Sequence, residues 1–500
     1  MAYDNTQNQD VPNVPQHGFF GHPRGLGVLF FVEFWERFSY YGMRALLLFY
    51  MYFSIKDGGL GIDEGTAQSI MAVYGSLIYM TSVLGGWVAD RITGTRAANL
   101  YGAVFIIIGH VCLSLPIGMT GLFTSMFFII VGSGLMKPNI SNIVGRLYPV
   151  NDKRIDAGFV IFYMSVNMGA LISPLILNQF VDSGNFHTGF LIAAFGMALA
   201  LVWYVLFNRK NLGDIGVKAT NPLSASEKKK YTILFVAIGL IIALVLLITG
   251  LTGTLSFNII STAVLVLGIV LPICYFTIMI RSKDVTDDER SRVKAFIPLF
   301  ILGVLFWSIQ EQGANVLNIF ALKQSDMTLN IFGWQTGFGP AIFQSINPLF
   351  IVLLAPVISL IWRKMARNQP SLATKFVLGA ILAGLSYIMI ALVSYTAGAT
   401  FSVNWIILSY IICVIGELCL SPTGNSAAVK LAPKAFNSQM MSLWLLTNAT
   451  AQAINGTLVK LIEPLGYKNY FLFLGAISII IAFTILAFVP KIVKAMRGIR

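Results

Sequence analysis

The chain has 500 residues, 56% hydrophobic and 11% charged, with a mean hydropathy of +0.77. Soluble domains carry about 25% charged residues, so the composition excludes an ordinary soluble protein and fits a polytopic membrane protein. The net charge of +13 does not point to nucleic acid, because most of the bases lie in loops between apolar runs, where they orient the chain in a bilayer.

The first 20 residues are polar, rich in Asn, Gln and Pro, and hold no apolar core. No cleavable signal peptide is expected there, and the first span serves as the insertion signal. Apolar runs of about 20 residues or more read as membrane helices. Fourteen are expected, over 27–54, 65–91, 97–118, 120–146, 155–181, 187–208, 231–250, 255–281, 295–320, 338–364, 372–397, 401–428, 437–460 and 468–490. Segment 209–230 is polar, with Gly, Asn, Pro, Ser and the three lysines Lys228, Lys229 and Lys230, and reads as a linker. The pair of spans that follows it carries no intramembrane charge and reads as a lipid-facing insert.

The expected organisation is therefore all-helical and runs in five parts. A cytoplasmic segment spans 1–26, a six-helix bundle 27–208, the linker and two-helix insert 209–294, a second six-helix bundle 295–490, and a cytoplasmic tail 491–500. Alternate loops are rich in bases (Arg91 and Arg96; Arg146, Lys153 and Arg154; Arg209 and Lys210; Arg281, Lys283, Arg290 and Arg292; Arg363, Lys364 and Arg367). The opposite loops hold little more than Lys56 and Lys323. The basic side is expected to be cytoplasmic, with both termini on it. A 6 + 6 plan also places a central site between two pseudo-symmetric halves.

Seven ionisable residues fall well inside these spans: Glu33, Glu36, Arg37, Arg44, Lys137, Glu311 and Glu417. A charge at bilayer depth costs at least ~2.5–3.5 kcal/mol on insertion scales, so they are expected to face a polar interior and handle something charged. On the first helix Glu33, Arg37, Tyr40 and Arg44 follow a 4-3-4 spacing and form one stripe, with Tyr41 one turn after Arg37. A carboxylate beside a guanidinium can switch between paired and protonated states, which makes Glu33 and Glu36 candidate proton carriers. At ~1.5 Å per residue, Arg44 and Glu311 reach similar depths, as do Lys137 and Glu417. Arg44–Glu311 and Lys137–Glu417 are therefore candidate gating ion pairs, the alternative being static bridges that fix helix packing. Arg37 and Lys137 offer a carboxylate site and Glu417 an ammonium site, so a short zwitterion fits between them. Asn167 and Asn347 could bind an amide backbone, or could instead bond between helices. Tyr79, Trp307 and Trp444 could line side-chain pockets, or simply pack.

The four cysteines, Cys112, Cys274, Cys413 and Cys419, sit in apolar segments as packing residues. The four histidines form no metal-ligand cluster, and His110 reads as a satisfied packing residue. No HExxH, no G-x-S-x-G with partners and no paired intramembrane aspartates are present. No enzyme, metal or cofactor is expected.

These residues stand in motifs. Glu33-Phe34-Trp35-Glu36-Arg37-Phe38-Ser39-Tyr40-Tyr41 resembles the ExxERFxYY signature of the proton-coupled oligopeptide transporters. Phe162-Tyr163-Met164-Ser165-Val166-Asn167-Met168-Gly169 resembles that family's FYxxxNxG signature, and Gly416-Glu417-Leu418-Cys419-Leu420-Ser421-Pro422 its GExxxSP segment. Gly86 to Arg96 is similar to the cytoplasmic loop motif of the wider major facilitator superfamily. The resemblance implies a major facilitator fold of bacterial type, in the cytoplasmic membrane, with a two-helix insert. It implies proton-driven uptake of di- and tripeptides, and of peptide-like drugs in some members, by alternating access. It assigns Arg37, Lys137 and Tyr41 to the peptide carboxylate, Glu417 and Asn347 to the amine, Asn167 to the backbone, and coupling to Glu33 and Glu36. The second helix lacks the histidine of animal members, which puts coupling on carboxylates, Glu311 among them. Asn448 stands where the pattern has a serine. The rival readings are a carrier of another anion such as nitrate, which Glu417 disfavours, and a peptide sensor without flux, which the short loops disfavour.

Overall fold

The computed structural model describes residues 13–149, 152, 154–251, 256–331, 334–337, 339–365, 368–396 and 400–499. Fifteen α-helices form among them: α1 Arg24–Tyr52, α2 Glu64–Val88, α3 Thr95–Ser114, α4 Gly118–Arg146, α5 Ile155–Asp182, α6 Phe186–Leu212, α7 Ala225–Leu251, α8 Phe257–Arg281, α9 Asp287–Gln310, α10 Val316–Gln324, α11 Phe343–Met365, α12 Leu372–Thr396, α13 Val403–Lys430, α14 Asn437–Leu458 and α15 Ile462–Ala495. A helix stands at each of the fourteen expected spans. Among the described residues, eleven stretches are long and apolar enough to cross a membrane, the last of them running through α14 and α15. The charged helix α1 is not among these, as its polar stripe dictates.

The extra helix is a correction to the span read over 295–320. That span breaks at a 3₁₀ turn, Glu311–Ala314, between α9 and α10. The break is held by buried side chains. Gln312 donates to Ser308 O and Asn455 Oδ1, both at 3.0 Å, and accepts from Tyr470 OH at 2.7 Å. Tyr410 OH donates to Gly313 O at 2.5 Å. These bonds satisfy groups that a helix interruption would otherwise leave unpaired in hydrocarbon. A second irregularity sits in α15, where Gly466 adopts φ 70° and ψ 160°. An L-side chain is strained there.

Among the described residues, four short strands lie in the connections after α10 and α12. β1 Ser325–Asp326 pairs in parallel with β4 Phe401–Ser402, and β2 Thr328–Ile331 pairs antiparallel with β3 Trp334–Gly337. The insert helix α8 buries one stripe, Ser261, Val264, Gly268, Pro272, Phe276 and Met279, at helical spacing. It exposes Val266, Ile269, Val270, Ile273 and Ile278, the pattern of a helix that packs on one side and meets lipid on the other.

Contacts group the chain into two compact units. The first comprises Met1–Tyr40, Met80–Gly169 and Phe190–Ile260, and the second Tyr41–Tyr79, Ala170–Gly189 and Ser261–Arg500. The first unit has a core of Leu29, Met136, Ile140, Ile143, Leu147 and Leu212, among others. In the second, the far ends of α1, α2 and α5 pack with helices from the later half of the chain. Ser69 Oγ donates to Gly456 O at 2.5 Å and Ser76 Oγ to Ala449 O at 2.8 Å, tying α2 to α14. Ser345 Oγ donates to Leu171 O at 2.7 Å, tying α11 to α5.

Candidate functional site

The first unit holds a base–acid cluster on α1. Arg37 Nε donates to Glu33 Oε1 at 2.6 Å and lies 3.1 Å from Glu36 Oε2. Both glutamates are buried, at 2% and 1% exposure. One guanidinium thus serves two carboxylates, and Glu33 Oε2 and both Glu36 oxygens make no hydrogen bond of good geometry. Such a set is costly unless the groups are paired or one carries a proton. Nearby, Lys137 Nζ sits 4.4 Å above the Tyr40 ring, within cation–π range.

Gly169 on α5 explains how the cluster is held. A Cβ there would fall 2.5 Å from Phe34 O and 2.9 Å from Arg37 Cβ, so only a glycine lets α5 lie this close to α1 at Arg37. Asn167, one half-turn earlier, is buried and donates to Tyr163 O of its own helix at 2.9 Å.

The second unit holds two acid centres. Glu417 Oε2 accepts from Gln310 Nε2 at 2.9 Å and from Asn347 Nδ2 at 2.8 Å. Glu311, at the break after α9, accepts from Arg44 Nη2 at 2.7 Å on one oxygen and from Asn448 Nδ2 at 2.8 Å on the other. Gln452 in turn donates to Asn448 Oδ1 at 2.7 Å. Arg44 and Glu311 are 12% and 10% exposed, so the pair is largely dry. Nearer the loops, Glu64 accepts from Lys323, Tyr467 OH and Gln68.

The structure therefore brings Glu33, Glu36 and Arg37 together, Arg44 with Glu311, and Asn347 with Glu417. Tyr41, Tyr79 and Trp307 are half-buried. Trp444 is 4% exposed and packs edge-on against Phe376 at 5.7 Å, with Gly424 under its ring, so it sits in packing. His110 is fully buried, but neither ring nitrogen is hydrogen-bonded, which corrects the expectation of a satisfied histidine. Sequence reading missed Gln310 and the Gln452–Asn448 relay. A signal for the first was present: Gln310-Glu311-Gln312-Gly313 is a polar run inside an apolar span.

The model of the POT family matches residues 97–489. The chain is 47% identical over 491 residues to an uncharacterized transporter, YclF, of Bacillus subtilis, covering 98% of both. It is 40% identical over 494 residues to a di-/tripeptide transporter of Lactococcus lactis subsp. cremoris, covering 98% of this chain and 99% of that one. Among solved structures, a POT family transporter in complex with 5-aminolevulinic acid superposes with a TM-score of 0.95 at 74% identity, over 96% of this chain and 99% of that one.

Proposed function

This chain belongs to the POT family, and from that membership we propose that it is a symporter importing di- and tripeptides together with protons by alternating access. The observation that carries the proposal is the sharing of Arg37 between two buried carboxylates. A peptide carboxylate arriving at Arg37 would be a third negative charge at one guanidinium. A proton on Glu33 or Glu36 relieves that crowding and frees the donor for the substrate. Binding of peptide and of proton are thereby linked, and the linkage is reciprocal.

The peptide amine goes to Glu417. Two neutral amides orient its carboxylate through Oε2, and an ammonium takes the other oxygen. Asn347 serves the same end, Lys137 and Tyr41 support the carboxylate, and Asn167 meets the backbone. Arg44–Glu311 acts as a gate, opening as the halves rock, with Glu311 contributing to proton coupling; Lys137 and Glu417 form the second gating pair. The protein works in the cytoplasmic membrane with both termini inside, an orientation that the excess of bases in alternate loops supports. That a similar transporter was solved with 5-aminolevulinic acid, a molecule with an amine at one end and a carboxylate at the other, supports a two-pole site. A nitrate carrier would have no use for the amide-held Glu417.

The experiment is uptake of labelled dialanine into proteoliposomes, acidic outside, with and without a proton ionophore. Accumulation that collapses with the ionophore is expected. Uptake indifferent to the gradient would defeat the coupling claim, and competition by nitrate instead of peptide would favour the rival carrier.

A further inference from the structure

The second unit contains a cavity of about 1110 Å³ between the ends of α11, α12, α13 and α15, lined by none of these charged residues. Two lysines line it, Lys375 near the start of α12 and Lys430 in the last turn of α13. No Asp or Glu is among the described residues that do. Lys375 Nζ lies 4.7 Å over the Trp362 ring and donates to the amide Oε1 of Gln369 at 3.2 Å. Its partners are therefore neutral. Ser371 caps α12, accepting from Thr374 N at 3.2 Å, so the positive end of that helix dipole opens on the same space. The last turn of α11 and the segment after it add Arg363, Lys364 and Arg367 to the local sequence.

The flanks of this cavity are apolar. Ala355 and Ile358 on α11, Leu418 and Pro422 on α13, and Val489 and Val493 on α15 form its wall. Positive charge without a carboxylate, beside an indole at a helix end, in a cavity walled by aliphatic side chains, matches one chemistry: a phosphate head carried on acyl chains. A soluble phosphate would use the lysines and leave the apolar flanks without a role.

We propose that this cavity binds the headgroup of an anionic phospholipid, with Lys375 and Lys430 on the phosphate, Trp362 at the glycerol level, and the acyl chains along α11 and α15. The bound lipid would brace α11 against α12 at the end opposite to the one where α11 holds α5 through Ser345.

The test is native mass spectrometry of the full-length transporter in mild detergent, titrated with phosphatidylglycerol or phosphatidylcholine of the same chains. The wild type is expected to retain one phosphatidylglycerol preferentially. Lys375→Ala/Lys430→Ala should weaken that retention about thirty-fold, roughly fivefold for each lysine at a lipid surface. Lys375→Arg/Lys430→Arg should keep it, which separates charge from misfolding. Equal retention by the wild type and the alanine pair overturns the proposal, as does indifference to headgroup charge. Displacement of the lipid by dilute glycerol phosphate or inorganic phosphate would also overturn it, assigning the site to a soluble anion.

Discussion

Removal of Arg44 puts the proposed gate under the sharpest strain. Arg44 and Glu311 meet at 2.7 Å with 12% and 10% of their side chains exposed. Breaking a buried pair by deleting one partner costs about 3–5 kcal/mol, because the remaining charge is stranded. Asn448 still holds the other oxygen of Glu311 at 2.8 Å, so the lower end applies. About 3 kcal/mol corresponds to a shift of roughly 150-fold in the balance between the closed and open arrangements of these ends. Arg44→Met should show that shift. Replacing both partners with apolar residues removes the stranded charge along with the bond, and such swaps are often neutral or stabilising, so Arg44→Met/Glu311→Met should return most of the closed population. Spin labels at Ile55 and Asp326, both exposed, report the distance by double electron–electron resonance. A single variant no more open than wild type, or a double variant as open as the single, would refute the reasoning.

Glu64→Gln provides the contrast. Its partner Lys323 is 40% exposed, and exposed pairs are worth about 0.2–1 kcal/mol, so the same labels should shift less than about fivefold. Gly169→Ala forces a Cβ to within 2.9 Å of Arg37 Cβ and 2.5 Å of Phe34 O. Overpacking of about 1–3 kcal/mol should lower the melting temperature and raise the KM for peptide by displacing Arg37. On the basic side, Arg154 donates to Asp152 and also to the carbonyls of Gln16 and Gly21. The hydrogen bonds from Arg154 hold the Asp152 carboxyl below the usual carboxylate range. A lowered folded-state value means its contribution is present above the ordinary pKa of about 3.9 and is lost as pH falls through the lowered one. Amide exchange over residues 16–22, corrected for intrinsic rates, should therefore stay flat from about pH 7 to 5 and rise below about pH 4; Asp152→Asn should abolish the step.

Much of the fold was legible because lipid requires each crossing to satisfy its own backbone hydrogen bonds, which long and mostly apolar helices do. The charged stripe of α1 stood out for the same reason: four charges in one span had to be explained. The break at Glu311 was not legible as structure. Its polar run was visible, but the groups that stabilise it, Asn455, Tyr470 and Tyr410, come from 97 to 158 positions away. Glu417 and Asn347 could be matched by depth and motif, whereas Gln310 sat in the same run and had no pattern of its own. The strands escaped because two to four residues are too few for a period-2 signal to emerge. Nor does any local pattern announce that the ends of α1, α2 and α5 join the second unit, since small hydroxyls such as Ser69 and Ser76 look alike on every helix.

The proposed two-pole site is tested most directly by competing labelled dialanine uptake with dialanine and with N-acetyl-dialanine, in the wild type and in Glu417→Gln. A charge-assisted hydrogen bond is worth about 1.5–3 kcal/mol, so wild type should prefer the free amine by about 10–150-fold, and Glu417→Gln should erase that preference by weakening the free-amine peptide alone. Equal loss for both peptides, or an undiminished preference in the variant, would contradict the assignment of the amine to Glu417.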